Sequence, residues 1–138
     1  MAEQGTERHV DTMRHYFELL ENKDIDGWLD LWAEDGVQFI PYATGNLPDA
    51  VRGKAELGKL YREIIHSYSR LRYTALEIHA VDGADRVFAR WHPVGELVAG
   101  GEYENDSVGL FDFDEDGKIV SYTEWFNPLG FGESFEIS

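Results

Sequence analysis

The chain has 138 residues, the length of one domain, and its 43% apolar and 14% aromatic content is enough for a core with rings left over for a pocket. Twelve Lys and Arg against 27 Asp and Glu give a net charge of −15, which repels phosphate backbones and anionic lipids and argues against nucleic-acid or membrane partners. The chain has no cysteine, which excludes thiol nucleophiles and thiolate metal sites and fits a cytoplasmic protein.

The first half of the chain is predicted to form three helices and one short strand. Apolar residues at helical spacing indicate a first helix over residues 10–20, with Thr6 as its N-cap. A second helix over 25–32 is expected to end at Gly36, because glycine adopts the left-handed conformation that terminates helices. A strand over 37–42, a loop over 43–49 that is either a lid or a plain connector, and a helix over 53–67 follow.

The second half of the chain reads as strands only. Four segments, 70–81, 86–98, 102–114 and 118–127, are separated by short turns that contain glycine. Successive strands with short turns indicate an antiparallel meander. Three helices followed by such a sheet predict a single α+β domain over residues 1–138, in which the helices cover one face of a strongly curved, mainly antiparallel sheet.

One carboxylate lies in the middle of the aromatic-rich last strand. Strand side chains alternate between two faces, so Val120, Tyr122, Glu124 and Phe126 share a face. If that face is buried, the pKa of Glu124 rises, because burial disfavours the charged carboxylate. Such a carboxyl is suited to general acid/base catalysis near neutral pH. The alternative is an ordinary strand glutamate that faces solvent or pairs across the sheet.

Segments 23–28, 31–36, 51–54 and 116–128 together resemble the nuclear transport factor 2-like superfamily, also called SnoaL-like or ketosteroid-isomerase-like. The resemblance implies a cone-shaped α+β barrel with one deep apolar pocket and a homodimer formed through the outer face of the sheet. It does not fix the chemistry, because the superfamily includes isomerases, dehydratases, cyclases, epoxide hydrolases and non-catalytic binders.

The ketosteroid isomerase mechanism is absent from this chain. Tyr16 matches the tyrosine that those enzymes carry on their first helix. Ile40 stands at the position of their aspartate base, and Gly109 stands at the position of their protonated aspartic acid.

Two other subfamilies match in part. Against limonene epoxide hydrolases, Arg90 is retained, His92 replaces one acid, and Glu124 replaces the other. The phenazine-biosynthesis A/B proteins have an acidic residue at the position of Glu124 and a stretch similar to 103–105, whereas Leu60 stands near the position of their pocket histidine. The pattern is closest to the phenazine-biosynthesis A/B-like and SnoaL-like proteins.

The predicted catalytic residues are Glu124, Arg90 and His92. Arg90 and His92 are expected to orient Glu124 or a developing oxyanion, with a surface ion pair as the alternative for Arg90. The predicted substrate contacts are aromatic or polar side chains that otherwise serve as packing residues: Tyr16, Trp28, Trp32, Tyr42, Tyr61, Asn105, Phe111, Tyr122 and Phe126. No metal and no cofactor are expected, since neither metal-ligand spacing nor a phosphate-binding glycine loop is present.

These observations predict a cofactor-independent acid/base enzyme that acts on a small, largely apolar, oxygenated metabolite, as an isomerase, cyclase or dehydratase of secondary metabolism. The alternatives are epoxide opening by Arg90, His92 and Glu124, and a non-catalytic dimer that binds a small molecule. A scaffold role like that of nuclear transport factor 2 is less consistent with the acidic surface.

Overall fold

The computed structural model of the protein describes residues 2–45 and 47–128, and their side chains from residue 7 onward. Its helices are α1 (Ala2–Glu21), α2 (Ile25–Leu29) and α3 (Lys54–His66). Its strands are β1 (Trp32–Phe39), β2 (Ala50–Arg52), β3 (Tyr68–Ala80), β4 (Arg86–Leu97), β5 (Glu102–Glu104), β6 (Ser107–Phe113) and β7 (Ile119–Phe126).

The strands form one mixed sheet in the order β2-β1-β7-β6-β4-β3, with β5 beside β4. The pairing of β1 with β7 is parallel, and the other pairings are antiparallel. The sheet is open, since β2 and β3 are the two ends of its path. Register shifts interrupt three of the ladders, and such irregularities bend the strands they occur in. The predicted α+β class and the predicted cone of three helices on a mainly antiparallel sheet are confirmed, although the sheet does not close into a barrel.

The helices cover the inner face of the sheet. The buried face of α1 carries Met13, Phe17 and Leu20, which recur at the three- and four-residue spacing of one helix face. This helix begins at Ala2, before the predicted cap Thr6. It ends before Lys23, whose φ of 61° is left-handed and therefore stops helical geometry. The next helix, α2, starts where the Asp24 carboxylate accepts a hydrogen bond of 2.9 Å from the main-chain nitrogen of Gly27.

Two boundaries differ from the predicted elements in the first half. The second helix ends at Leu29, and the segment containing Gly36 belongs to β1. A Cβ at Gly36 would lie 2.7 Å from the Trp32 ring, so this glycine permits a close approach within a strand and does not end a helix. The short strand β2 was not predicted. It pairs with β1 and precedes α3.

The predicted strand 102–114 is divided into β5 and β6. At the break, the Asn105 side-chain oxygen accepts hydrogen bonds from the main-chain nitrogens of Asp106, at 2.8 Å, and Asn127, at 3.0 Å. A side chain that bonds the main chain in this way replaces ladder hydrogen bonds, which explains the interruption. Within the described part of the chain, none of the helices is long and apolar enough to cross a membrane.

Candidate active site

A cavity of about 80 Å³ lies between the helices α1 and α3 and the inner face of the sheet. Most of its wall is apolar or aromatic. Six of the seven tyrosines of the chain contribute to it: Tyr16, Tyr61, Tyr68, Tyr73, Tyr103 and Tyr122. A concave, mainly apolar space with a few polar groups is the usual form of a small-molecule site.

The last strand, β7, directs Glu124 into this cavity. Tyr122, Glu124 and Phe126 all line it, as the alternation of strand side chains predicts. The prediction is wrong for Val120, which is half-buried like Glu124 but does not line the cavity, whereas its neighbour Ile119 is fully buried. The cause is a register shift near the start of the strand. It adds one residue to β7 and reverses the alternation there.

A hydrogen-bonded chain holds the Glu124 carboxylate. Gln38, on β1 and only 1% exposed, donates from Nε2 to Oε1 of Glu124 at 3.1 Å. The side-chain oxygen of Gln38 accepts from the Tyr61 hydroxyl on α3 at 2.6 Å. The Tyr61 bond therefore fixes the Gln38 amide with its nitrogen toward the carboxylate. Three elements, β1, β7 and α3, set the position of one acid.

Burial raises the pKa of Glu124 from 4.5 to about 7. Removal of water disfavours the charged carboxylate, while hydrogen bonds from Tyr122 and Gln38 favour it and limit the rise. Near neutral pH the group therefore holds a proton in about half of the molecules. Burial also raises the pKa of Tyr16, Tyr61 and Tyr122 well above the ordinary value, so these phenols stay protonated and can donate hydrogen bonds.

Several predicted substrate contacts form a layer behind the cavity wall instead. Trp28 and Trp32 are 0% and 1% exposed and do not line the cavity, contrary to the prediction. Trp28 stacks on Tyr61 with ring centres 4.2 Å apart, and Phe111 stacks on Tyr122 at 4.1 Å. These rings fill the core behind the wall and restrict the tyrosines in front of them.

Asn105 and Tyr42 are also absent from the cavity wall. Asn105 is buried, and its side-chain nitrogen donates to the Tyr103 hydroxyl at 2.8 Å, so it positions a wall residue. Tyr42 is 58% exposed on the loop after β1. In the same loop, Leu47 is buried and lines the cavity, whereas Asn46 lies outside the described residues. The prediction that Asn105 and Tyr42 lie on the cavity wall and contact the substrate there is therefore wrong.

The placement of Arg90 and His92 beside Glu124 is wrong as well. Both alternate along β4 with residues that face inward, Ala89 and Trp91, so they lie on the outer face of the sheet. The exposed Arg90 guanidinium lies 3.8 Å from Glu77. The face that carries Arg90 and His92 also carries Phe88 and Val94, so alternation alone does not identify the inner face of β4, and the structure turns both polar side chains outward. The epoxide-opening alternative, which required both beside Glu124, loses its geometric basis.

His92 instead joins two parts of the outer surface. Its Nδ1 lies 2.9 Å from a carboxylate oxygen of Asp106, and its Nε2 lies 3.4 Å from one of Glu104. These two carboxylates raise the pKa of His92, because they favour the imidazolium.

Gln38, Tyr68 and Tyr73 are among the cavity-wall residues that were not predicted from the sequence. Gln38 shares strand parity with the inward-facing Ile40, and that parity was a usable signal. Tyr68 and Tyr73 both line the cavity from β3, yet they lie an odd number of positions apart along the strand, which simple alternation does not allow. A register shift after Tyr68 accounts for this, and no pattern in the sequence indicates it.

Comparison with known proteins assigns the family. Residues 13–122 match the SnoaL-like domain, so the chain belongs to that family, and the predicted resemblance is confirmed. YesE, an uncharacterised protein of Bacillus subtilis (strain 168), is 26% identical over 130 residues, covering 94% of this chain and 88% of that protein. An uncharacterised PhzA/B-like protein of Pseudomonas aeruginosa is 28% identical over 116 residues, covering 83% and 81%.

A solved structure has the same architecture. The crystal structure of a proposed isomerase from Bacillus subtilis superposes with a TM-score of 0.84 at 27% identity, covering 95% of this chain and 97% of that one.

Proposed function

We propose that this protein is a cofactor-independent acid/base enzyme of the isomerase or cyclase type, with Glu124 as its general acid and base. The observation that carries the proposal is a single carboxyl, with a pKa raised to about 7, at the wall of a tyrosine-lined cavity. A group with its pKa near the working pH both accepts and returns protons efficiently. The proposed isomerase that shares 27% identity supports the same reaction class.

The geometry suggests how a proton is moved. Ionised Glu124 takes a proton from a carbon next to a carbonyl group. The electron pair of that C–H bond forms a carbon–carbon double bond, and the π pair of the carbonyl moves onto its oxygen. Neutral phenols of the wall, with Tyr16 the candidate named from the family pattern, stabilise the resulting enolate by donating hydrogen bonds. Protonated Glu124 then returns its proton to a different carbon of the enolate system, which gives an isomer. In a cyclisation the enolate carbon instead attacks a second carbonyl carbon of the substrate, and Glu124 gives its proton to the oxygen of that carbonyl. Gln38 keeps the carboxylate in place throughout.

The substrate in this proposal is a small, largely apolar, oxygenated metabolite, as produced in secondary metabolism. The wall is dominated by aromatic and aliphatic side chains, and its hydroxyl groups can bind substrate oxygens. The volume of about 80 Å³ is about half that of an engineered cavity of about 150 Å³ that accommodates benzene, so the proposed substrate has no more than about one ring and its entry requires the side chains of the wall to move apart.

Hydrogen exchange tests the proposed chemistry without knowledge of the natural substrate. A panel of small cyclic ketones and β-diketones in D₂O is followed by NMR for loss of the protons next to the carbonyl. We expect the wild-type protein to accelerate exchange of some members, and Glu124→Gln to lose about 10²- to 10⁴-fold of that rate. Exchange by Glu124→Gln at the wild-type rate contradicts the assignment. Tight ligand binding with no exchange by the wild type indicates the non-catalytic binder instead.

We also propose that the chain forms a homodimer through the outer face of its sheet. Two large apolar side chains on that face, Phe39 and Phe88, are 36% and 38% exposed, and Leu110 pairs with Phe88 on the next strand. Apolar patches of this kind mark association sites. Light scattering should show a dimer that Phe88→Glu converts to monomers, while Val98→Glu, at a 68% exposed site outside the strands, stays dimeric. A wild-type monomer at all concentrations refutes this.

A further inference from the structure

We infer that the cavity selects uncharged ligands and rejects carboxylates and phosphates, which narrows the substrate to neutral carbonyl- or hydroxyl-bearing molecules. The inference rests on the proposed function only where it calls the ligand a substrate. The selectivity itself follows from the charges of the wall.

The wall contains an acid and no base to pair with a ligand anion. Among the described residues that line the cavity, none is Lys, Arg or His, and Glu124 is the only Asp or Glu. Two cations of neighbouring elements have partners outside the cavity. Lys23 donates to the main-chain oxygen of Tyr68 at 2.7 Å without lining the cavity, and Arg90 lies beside Glu77 on the outer face.

A ligand anion in this space would lose its water and meet a second negative charge. An unpaired charge in an apolar environment is strongly disfavoured, and two neighbouring carboxylates do not both ionise. The other titratable groups that face Glu124 are tyrosines from several elements: Tyr16 from α1, Tyr61 from α3, Tyr68 and Tyr73 from β3, Tyr103 from β5 and Tyr122 from β7. Burial keeps them neutral, so an anion binds only if Glu124 takes up a proton.

Neutral oxygenated ligands suit the same wall. The hydroxyl of Tyr73 makes no hydrogen bond to any described residue, although the residue lines the cavity. A phenol in this position donates to a carbonyl or hydroxyl oxygen, and the surrounding rings pack against the apolar part of the ligand. The described lining therefore offers a partner for each part of a neutral ligand, but no cation for a ligand that arrives charged while Glu124 is ionised. The enolate of the proposed reaction differs, because it forms only as Glu124 takes up a proton and becomes neutral.

Acetophenone and benzoate form a matched pair of probes, because they share one ring and nearly the same shape and differ in charge. Binding is measured by calorimetry and by NMR shifts of the tyrosine rings at pH 6, 7 and 8.5. We expect acetophenone to bind with little pH dependence and benzoate to bind at least about tenfold more weakly at pH 8.5. Above pH 7 the benzoate affinity should fall about tenfold per pH unit, since each binding event then takes up one proton.

Two variants locate the effect. In Glu124→Gln the pH dependence of benzoate binding should disappear, whereas Glu77→Gln, on the outer face, should retain it. Benzoate binding as tightly as acetophenone at pH 8.5, or no binding of acetophenone at millimolar concentration, overturns the inference. The binding result is independent of the catalytic proposal. Turnover of substrate by Glu124→Gln would contradict the catalytic role of Glu124, whereas the preference for acetophenone over benzoate is measured on the wild-type protein and would stand.

Discussion

Replacement of Glu124 by Gln should stabilise the folded protein at alkaline pH while it removes the proposed proton transfer. The folded-state pKa of about 7 exceeds the ordinary value of 4.5, so the folded chain binds more protons than the unfolded chain between these two values. The free energy of unfolding therefore falls as pH rises from about 4.5 to about 7 and then stays level. The substituted glutamine side chain has nearly the same shape and its oxygen can still accept from Gln38, but it never ionises.

The magnitude follows from the difference between the two pKa values. Each unit of difference is worth about 1.4 kcal/mol, so the ionised carboxylate costs the fold about 3 kcal/mol above pH 7. Below about pH 4.5 the Glu124 carboxyl is neutral in both states and the cost vanishes. We therefore expect Glu124→Gln to be more stable than the wild type by about 3 kcal/mol near pH 8 and by little near pH 4.

Urea unfolding at a series of pH values measures this directly, with the difference between variant and wild type as the readout. The exposed Glu115 provides a matched control, because its carboxyl meets water in the folded and the unfolded chain alike. For Glu115→Gln the difference should not change with pH in this way. A Glu124→Gln difference that is the same at pH 4 and pH 8 would refute the idea that Glu124 is held in a water-poor cavity.

Three further predictions concern Gln38 and Gly109 beside the cavity and His92 on the outer surface. Gln38→Leu removes a hydrogen bond to the ionised carboxylate, so the pKa of Glu124 should rise above about 7, by about 1–2 pH units. A ¹³C NMR titration measures this, and an unchanged pKa would show that Gln38 has no electrostatic effect on Glu124. His92 has a raised pKa, so its two ion pairs stabilise the fold below about pH 6.5 and lose that effect as pH rises through the raised value. In urea unfolding, His92→Gln should therefore lower the free energy of unfolding near pH 6 more than near pH 9. An equal loss at both pH values contradicts this. Gly109→Ala places a Cβ 2.7 Å from the Tyr122 ring and should lower the free energy of unfolding by about 1–3 kcal/mol. An unchanged free energy of unfolding would mean that the Tyr122 ring can move aside without loss of packing.

Strand alternation predicted the part of the site that lies on regular strand. Tyr122, Glu124 and Phe126 follow the period of two and face the cavity together, so the central acid was found from the sequence. The same rule failed at Val120 and for Tyr68 with Tyr73, because register shifts insert a residue and reverse the faces.

The failed placements in β4 have a different cause. The face of β4 that carries Arg90 and His92 is nearly as apolar as the opposite face, so strand alternation does not indicate which face is buried. The resemblance to limonene epoxide hydrolases placed both residues on the inner face, which is wrong. Charged and polar side chains turn outward unless a partner holds them inside, and here Glu77, Glu104 and Asp106 are available on the outer surface.

The support behind the cavity wall depends on tertiary contacts that sequence spacing does not contain. Gln38 is a polar residue near the end of β1, and the pairing of β1 with β7 brings it to Glu124. Trp28 was read as a pocket residue because it is aromatic, yet the stacking of Tyr61 over it removes it from the cavity. Composition and period therefore predicted which residue types surround the acid, and topology decided which individual side chains reach it.

A ¹³C NMR titration of the Glu124 carboxyl in the wild-type protein is the decisive measurement of its acid/base role, with Glu124→Gln used to assign the signal. A midpoint near pH 7 is expected, because the carboxylate is ionised inside a tyrosine-lined cavity where hydrogen bonds from Gln38 and Tyr122 limit the rise that burial causes. A midpoint near the ordinary value of 4.5 would mean that water reaches the carboxylate freely, and the acid/base role proposed for it would be contradicted.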